Sequence, residues 1–421
     1  MANYQPQRGT YDAYYEDALN IEKIEDSLKK VALNYGYSPI HTPIYESTDL
    51  FTRSAGESSD IVTKEMFDFT DKGGRNISLR PEVTAGVMRA VVTNKLYATH
   101  DLPLKLQYLG PAFRYERPSA GRYRQFNQFG VEQVGVTSSY EDAETIILGV
   151  DALHKIGFKK VILKINSIGD QASRDNYRTA LKEYFKPYIS CMCPDCQRRY
   201  EVNPLRILDC KVPEDIQKVQ DAPKMGDYLN EESKTRFNEV LSLLDKENIE
   251  YVVDDTLVRG LDYYSHVVFE FHYISDNGTN LGAIGAGGHY DNLVHEVGGP
   301  ELSSVGFAFG IERLNSLLKE IDLENYAKPS VDAYIVYLGD KAKDYAFSLS
   351  HELRLNGISC DINLEDKSMK ASLKIALRKN AKYMIVIGED EINNNLYQLK
   401  NLSSQEQVAM SKEDIIAQLK K

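Results

Sequence analysis

Residues 113–132 open with Phe113-Arg114-Tyr115-Glu116 and continue through Arg117-Pro118-Ser119-Ala120-Gly121-Arg122-Tyr123-Arg124. They then run from Gln125-Phe126-Asn127-Gln128 through apolar residues to Glu132. The pattern predicts a strand with Arg114 and Glu116 on alternate residues, a long Pro/Gly-containing turn, and a second strand returning antiparallel to the first. Two such strands joined by a basic loop can hold a nucleoside triphosphate without a helix wrapped around its phosphates. The phosphate-wrapping alternative is excluded, because the chain has no Gly-Lys pair and so no G-x-x-x-x-G-K-[S/T] loop. Gly285, Gly287 and Gly288 likewise do not form a dinucleotide fingerprint.

The 421 residues allow two or three domains, and 42% hydrophobic with 27% charged residues is ordinary for a globular protein. No apolar run approaches the roughly 20 residues a membrane span needs. Met1 to Gln7 has neither the basic start nor the apolar core of a secretory signal. A cytoplasmic location and no membrane partner are therefore expected. The net charge of -12 speaks against a protein that coats nucleic acid nonspecifically, and no DNA partner is expected, although a local basic patch can still hold an RNA. Five cysteines do not make a disulfide scaffold, yet Cys191, Cys193, Cys196 and Cys210 cluster.

Asp17 to Tyr35 has Leu19, Ile24, Leu28, Val31 and Ala32 at helical spacing, and Gly36 ends it. Ser38 to Tyr45 follows as a strand interrupted at Pro43. Further strands are predicted at 104–109, 126–134, 161–165, 267–273 and 305–309, whereas 168–248 reads as a charged helical block. After Pro329, strands at 333–338, 359–362 and 383–387 alternate with helices at 341–355 and 370–380, the pattern of a small α/β domain with a largely parallel sheet. Taken singly, Asp255 to Tyr264 reads as a solvated turn, Arg313 as a structural ion-pair partner and Glu132 as a salt-bridged strand carboxylate.

Taken together they carry a resemblance. Gly36-Tyr37 through Pro43-Ile44-Tyr45, Phe113 to Glu132, and Gly306 to Leu314 resemble, in order, motifs 1, 2 and 3 of the class II aminoacyl-tRNA synthetases. Leu257-Val258-Arg259-Gly260-Leu261-Asp262-Tyr263-Tyr264, followed by Phe269-Glu270, is similar to a peptide peculiar to histidyl-tRNA synthetases. Arg8-Gly9-Thr10, Leu79-Arg80-Pro81-Glu82 with Thr84, and Asn203-Pro204-Leu205-Arg206 also resemble that family. The resemblance implies an α+β class II catalytic core, an antiparallel sheet flanked by helices, made from residues 1–167 and 250–328. It further implies a helical insertion at 168–249, a C-terminal α/β anticodon-binding domain at 329–421, and a homodimer formed through motif 1.

The implied reaction joins L-histidine and ATP into histidyl-adenylate and pyrophosphate, then moves the histidyl group to the 3′ end of a histidine tRNA. By the same resemblance Arg114 and Arg259 are the catalytic residues, placing positive charge where two anions meet. Arg114, Glu116, Phe126 and Arg313 would hold ATP, with Mg²⁺ on the triphosphate. Glu82, Thr84 and Gln128 would take the α-ammonium of histidine, and Arg114 and Arg259 its carboxylate side. Glu132 and Tyr264 would bracket the imidazole, with Tyr263 and Tyr290 as neighbouring walls. The alternative is a non-catalytic, synthetase-like regulatory subunit of histidine biosynthesis. Such a paralogue typically lacks the C-terminal domain and degrades the Arg259 peptide; both are intact in this sequence.

Two positions depart from the family pattern. His289 stands where an Arg is usual, so no contact is assigned to it, and Tyr11 replaces a polar residue. The four clustered thiols suit one tetrahedral zinc, but the family does not as a rule depend on zinc and the one-residue spacing of Cys191 and Cys193 is less usual for such a site. Reduced buried thiols are therefore the preferred reading and zinc the alternative. In the C-terminal domain, Lys367, Lys370, Lys374, Arg378, Lys379 and Lys382 occur with no acidic residue among them. Met369, Leu373 and Leu377 are spaced as the buried side of that helix. Such a stripe is usually merely solvated, but the resemblance of this domain to the family's anticodon-binding domain implies that Lys370, Lys374 and Arg378 meet tRNA backbone, and Arg117, Arg122 and Arg124 of the motif 2 loop its acceptor end.

Overall fold

The computed structural model describes residues 4–56, 59–275, 278–321 and 326–420. The chain divides into two compact units, 1–13 with 20–325 and 14–19 with 326–421.

The first unit is organised by an eight-stranded sheet. Its strands are β1 (Ser38–Pro39), β2 (Leu104–Phe113), β3 (Gln125–Val134), β4 (Val161–Ser167), β5 (Tyr251–Val253), β6 (Ser265–Ile274), β7 (Asn280–Tyr290) and β8 (Ser304–Gly310), arranged β1-β2-β3-β8-β7-β6-β4-β5. The pairings from β2 through β6 to β4 are antiparallel, whereas β1 on β2 and β5 on β4 are parallel. The hairpin expected from residues 113–132 is the β2–β3 pair, in register from Leu104 opposite Val134 to Phe113 opposite Gln125. The first strand ends at Phe113, so Arg114 and Glu116 lie just beyond the ladder rather than within it. There the backbone N–H of Tyr115 donates to Glu65 instead, and Pro118 has no N–H to offer.

Pro43 divides the segment expected as one interrupted strand. Ser38–Pro39 joins the large sheet, whereas Tyr45–Ser47 pairs with Asn76–Leu79 in a separate three-stranded sheet completed by Phe67–Thr70.

Alternation gives the large sheet two distinct faces. Phe129 and Val131 of β3, Phe269 and Phe271 of β6, and Phe307 and Phe309 of β8 enter one hydrophobic core. Helices α1 (Glu16–Asn34), α2 (Ser139–Ile156) and α3 (Ile311–Ile321) cover that core. In α1 the buried stripe is Ile21, Ile24, Leu28, Val31 and Ala32; Leu19, expected among them, is 37% exposed. On the other face Gln128, Gly130 and Glu132 alternate with the buried apolar residues of β3, and Gly306, Ala308 and Gly310 with those of β8. Between β4 and β5, residues 171–228 form helices and 3₁₀ turns around their own cluster, which includes Tyr177, Leu181, Phe185, Ile207 and Met225. The helix Glu231–Lys246 that follows returns Val240 and Leu244 to the main core.

The second unit holds β9 (Ala333–Tyr337), β10 (Cys360–Ile362), β11 (Tyr383–Ile387), β12 (Tyr397–Asn401) and β13 (Gln407–Met410), ordered β10-β9-β11-β12-β13. The first three strands are parallel as expected, but β12 and β13 extend the sheet antiparallel, making it mixed. Their polar, half-exposed sequences hid them from a hydrophobicity reading. The helix α4 (Met369–Arg378) also corrects an expectation: it buries Ser372 and Ala376, whereas Met369 and Leu377 are 36% and 51% exposed. Small residues let this helix lie close to the sheet, and its longer apolar side chains fall at the flanks.

Candidate active site

The pocket face of the sheet encloses a cavity of about 320 Å³. Glu82, Thr84, Gln128, Glu132, Tyr263, Tyr264 and Tyr290 line it together with Arg114, Glu116, Phe126, Arg259 and Arg313. These residues come from five separate stretches of chain, brought together by the order of the central strands.

Glu132 is 1% exposed. Thr84 Oγ1 donates to its Oε1 at 2.6 Å, and the Tyr290 hydroxyl donates to its Oε2. Burial pushes its carboxyl up to about 8, against the lowering effect of the Thr84 and Tyr290 hydroxyls. Glycine at 306 makes room for this group: β8 lies directly beside β3, Gly306 faces Glu132, and a Cβ there would overlap Glu132 Oε2 and the Val131 carbonyl oxygen. Tyr263, Tyr264 and Tyr290 pack their rings against one another, with centroids 4.6 to 6.2 Å apart.

Glu82 sits before the helix Thr84–Thr93, and its Oε1 accepts from the Ala85 N–H at 2.9 Å. Its Oε2 is buried with no hydrogen-bond partner among the described residues, and burial raises its pKa. An unpaired buried carboxylate oxygen is costly unless a ligand cation meets it. Gln128 Oε1 accepts from Val83 N–H at 3.1 Å.

Arg259 donates to Glu270 Oε1 at 2.7 Å and lies over the Tyr264 ring at 5.6 Å, while His272 Nε2 lies 2.9 Å from Glu270 Oε2. Burial opposes the Arg259 charge, but Tyr264 and Glu270 more than restore it, leaving its pKa raised. Arg114 Nε donates to the Pro81 carbonyl, and its guanidinium lies 5.5 Å from the Phe126 ring. Arg313 stands in the first turn of α3, shortly after Gly310, and donates to the Leu281 carbonyl at 2.7 Å. The 114–124 loop reaches it through Gly121, whose φ of +70° disfavours any side chain and where an added Cβ would crowd Arg313 at 3.0 Å.

Arg117 and Arg122 of that loop are exposed, and Arg122 also lines the cavity. Arg124 is folded back: its guanidinium lies 3.7 Å over the Tyr115 ring and its Nε donates to the Glu116 carbonyl. Tyr11 stacks on Tyr123 at 4.4 Å. His289 does not line the cavity. It is fully buried and bonded to Asp142 and Asp291, because alternation on β7 turns it away from the side that Tyr290 faces. Burial would lower its pKa, but those two carboxylates leave it raised.

Sequence reasoning assigned no role to Glu270 and overlooked Glu312 and Asp60. Glu312 lines the cavity and accepts from the Asn127 N–H and amide, with burial pushing its carboxyl up to about 7. Asp60 receives Arg198, Arg199 and Arg206 at 3.0 to 3.3 Å, and Arg206 in turn donates to the Gly260 carbonyl beside Arg259. Burial opposes ionisation of Asp60, but Arg198 and Arg199 bring its carboxyl down to about 2. No local pattern marks Asp60, since these arginines lie 138 to 146 residues away.

Of the four clustered cysteines, Cys191 is exposed, with its thiol turned to the Tyr188 carbonyl. The other three gather around Asp215 instead. In the second unit Lys370, Lys374 and Arg378 are exposed with no acidic partner among the described residues, whereas Lys367, Lys379 and Lys382 pair with Glu365, Asp361 and Asp332.

Comparison with known proteins bears on this arrangement. The chain matches the family model described as Histidyl-tRNA synthetase over residues 9–170 and 203–314, and that of the Anticodon binding domain over 332–421. It is 47% identical to a histidine–tRNA ligase of Bacillus licheniformis over 98% of this chain and 97% of the relative. Against the Bacillus subtilis histidine–tRNA ligase it is 45% identical, over 99% and 98%. The crystal structure of apo Staphylococcus aureus histidyl-tRNA synthetase superposes with a TM-score of 0.83 at 38% identity, covering all of both chains. With its motifs gathered at one cavity and its whole length matched, the chain belongs to the histidyl-tRNA synthetase family.

Proposed function

We propose that the chain is an ATP-dependent ligase that activates L-histidine as histidyl-adenylate and transfers it to its cognate tRNA. The observation that carries this reading is a single cavity lined by an acid–phenol cluster and by Arg114, Arg259 and Arg313.

The free Glu82 Oε2, the Thr84 hydroxyl oxygen and Gln128 Oε1 offer acceptors to the α-ammonium of histidine. Glu132 and Tyr264 take the imidazole, with Tyr263 and Tyr290 as walls. A site whose buried polar groups are satisfied only by an imidazole rejects apolar analogues by roughly 10⁴. The histidine carboxylate attacks the α-phosphorus and pyrophosphate leaves. Both partners are anionic, so fixed cations at the reacting centre lower the barrier; Arg114 and Arg259 are the catalytic pair. Glu116, Phe126 and Arg313 hold the nucleotide, which arrives with Mg²⁺ as part of the substrate.

In this reading residues 1–167 and 250–328 form the catalytic core, 168–249 the insertion and 329–421 the anticodon-binding domain. Lys370, Lys374 and Arg378 meet tRNA backbone, and Arg117, Arg122 and Arg124 its acceptor end. A homodimer through the motif 1 region is supported by the exposed apolar Ile44, Tyr45 and Phe69. A cytoplasmic location accords with there being no described helix long and apolar enough to cross a membrane. The regulatory-subunit alternative is disfavoured by the match of 332–421 to an anticodon-binding domain and by full-length likeness to ligases.

The test is ATP–pyrophosphate exchange with each amino acid separately, on wild type and Arg259→Ala. Exchange only with histidine, lost in the variant, is expected. No exchange with any amino acid would overturn the reading.

A further inference from the structure

We propose that Cys193, Cys196, Cys210 and Asp215 bind one structural zinc ion. Their ligand atoms all lie within 4.8 Å of one another. Cys193 Sγ is 3.8 Å from Cys210 Sγ, and Cys210 Sγ is 3.6 Å from Asp215 Oδ2. A tetrahedron with Zn–S bonds of about 2.3 Å has edges of about 3.8 Å, whereas a disulfide would need sulfurs about 2.05 Å apart. The separation therefore matches thiolates sharing a metal, and all five cysteines of the chain are free.

The chain places the donors as metal sites commonly do. Cys193-Pro194-Asp195-Cys196 is a C-x₂-C turn that leads into the helix Pro194–Val202, and Cys196 comes from its first turn. Cys210 follows the 3₁₀ segment Pro204–Asp209, and Asp215 lies in the first turn of the helix Pro213–Gln220. Asp215 is 1% exposed, and its Oδ2 also accepts from the Cys193 N–H at 2.9 Å. The nearest cation is Lys218, 3.7 Å from Oδ1. A buried carboxylate facing three thiols has little reason to be there in an apolar cluster, but it completes a four-donor set for a divalent cation. Soft thiolates in tetrahedral array select zinc over hard cations, and binding releases the three thiol protons.

The ion would tie together both ends of the 193–215 stretch. That stretch carries Arg206, whose guanidinium supports the Gly260 carbonyl and Asp60. Zinc here holds a scaffold and touches no substrate.

Zinc per chain, measured on the full-length protein purified without a metal-affinity step, tests the proposal. One zinc per chain is expected, with replacement by Co²⁺ giving thiolate-to-cobalt charge-transfer and tetrahedral d–d bands. Cys196→Ser and Cys210→Ser should lose the metal and the bands, and Cys191→Ser should keep both. Chelation should expose the 193–215 stretch to protease. Wild-type protein with well under one zinc and no cobalt bands, or with a Cys193–Cys210 disulfide by mass spectrometry, would overturn it. So would full zinc retention in Cys210→Ser. None of these readouts depends on histidine activation.

Discussion

Tyr290 donates a hydrogen bond to Glu132 across 158 residues of sequence, from the end of β7 to a residue within β3. The two strands are not neighbours, since β8 lies between them. Gly306 is the residue that leaves room for the bond to pass.

Glu132→Gln tests the buried acid. Its carboxyl titrates near 8 in the folded protein against an ordinary value of 4.5. Between those values the folded protein keeps a proton that the unfolded chain has released, so this group makes stability fall as pH rises through the window. The slope is at most about 1.4 kcal/mol per pH unit. Glutamine does not titrate, so the variant should gain stability relative to wild type from pH 5 to 8 while losing histidine-dependent exchange. Denaturation profiles that stay parallel over this range would refute the assignment.

Gly306→Ala should be damaging despite its small size. The added methyl meets the Val131 carbonyl and Glu132 from within a central strand, where overpacking costs about 1–3 kcal/mol. A lower melting temperature together with loss of histidine binding by calorimetry is expected. Unchanged affinity would mean that Glu132 does not face the ligand.

Arg259→Lys keeps the charge but not the planar fork that bonds Glu270. A loss of about 10²-fold in kcat for pyrophosphate exchange is expected, with a smaller change in the KM for ATP. Glu270→Gln should reproduce part of that loss by freeing Arg259 from its tether. Rates within twofold of wild type for both variants would remove Arg259 from the reacting centre.

Replacing Lys370, Lys374 and Arg378 together by alanine separates the two steps. Pyrophosphate exchange should be unchanged, whereas aminoacylation should weaken and become less salt-sensitive. The salt slope should fall by about 0.7–0.9 for each tRNA phosphate that is no longer neutralised. Equal aminoacylation at all salt concentrations would take this helix out of the tRNA surface.

The sequence by itself determined most strands of the large sheet, though neither Tyr251–Val253 nor the glycine-rich Asn280–Tyr290. It also determined the 113–132 hairpin, the α1 helix stopped at Gly36 and, Glu312 and Glu270 aside, the charged and phenolic residues gathered at the cavity. Each is a local signal: an alternating or helical period, a turn composition, or an ordered motif. Where local pattern left a choice, it misled. Leu19, Met369 and Leu377 have the spacing of buried residues, yet all three are exposed; in α4, packing favoured the smaller Ser372 and Ala376.

Only the tertiary structure decided which distant groups meet. Strand order and register bring Tyr290 to Glu132, turn His289 away from the pocket, and leave Glu82 Oε2 unpaired. Helix packing carries Asp60 to its arginines, and exchanges Cys191 for Asp215 beside the three inward cysteines. Such pairings depend on how elements pack across a hundred residues or on which way a turn points its side chains. Neither leaves a period in the sequence.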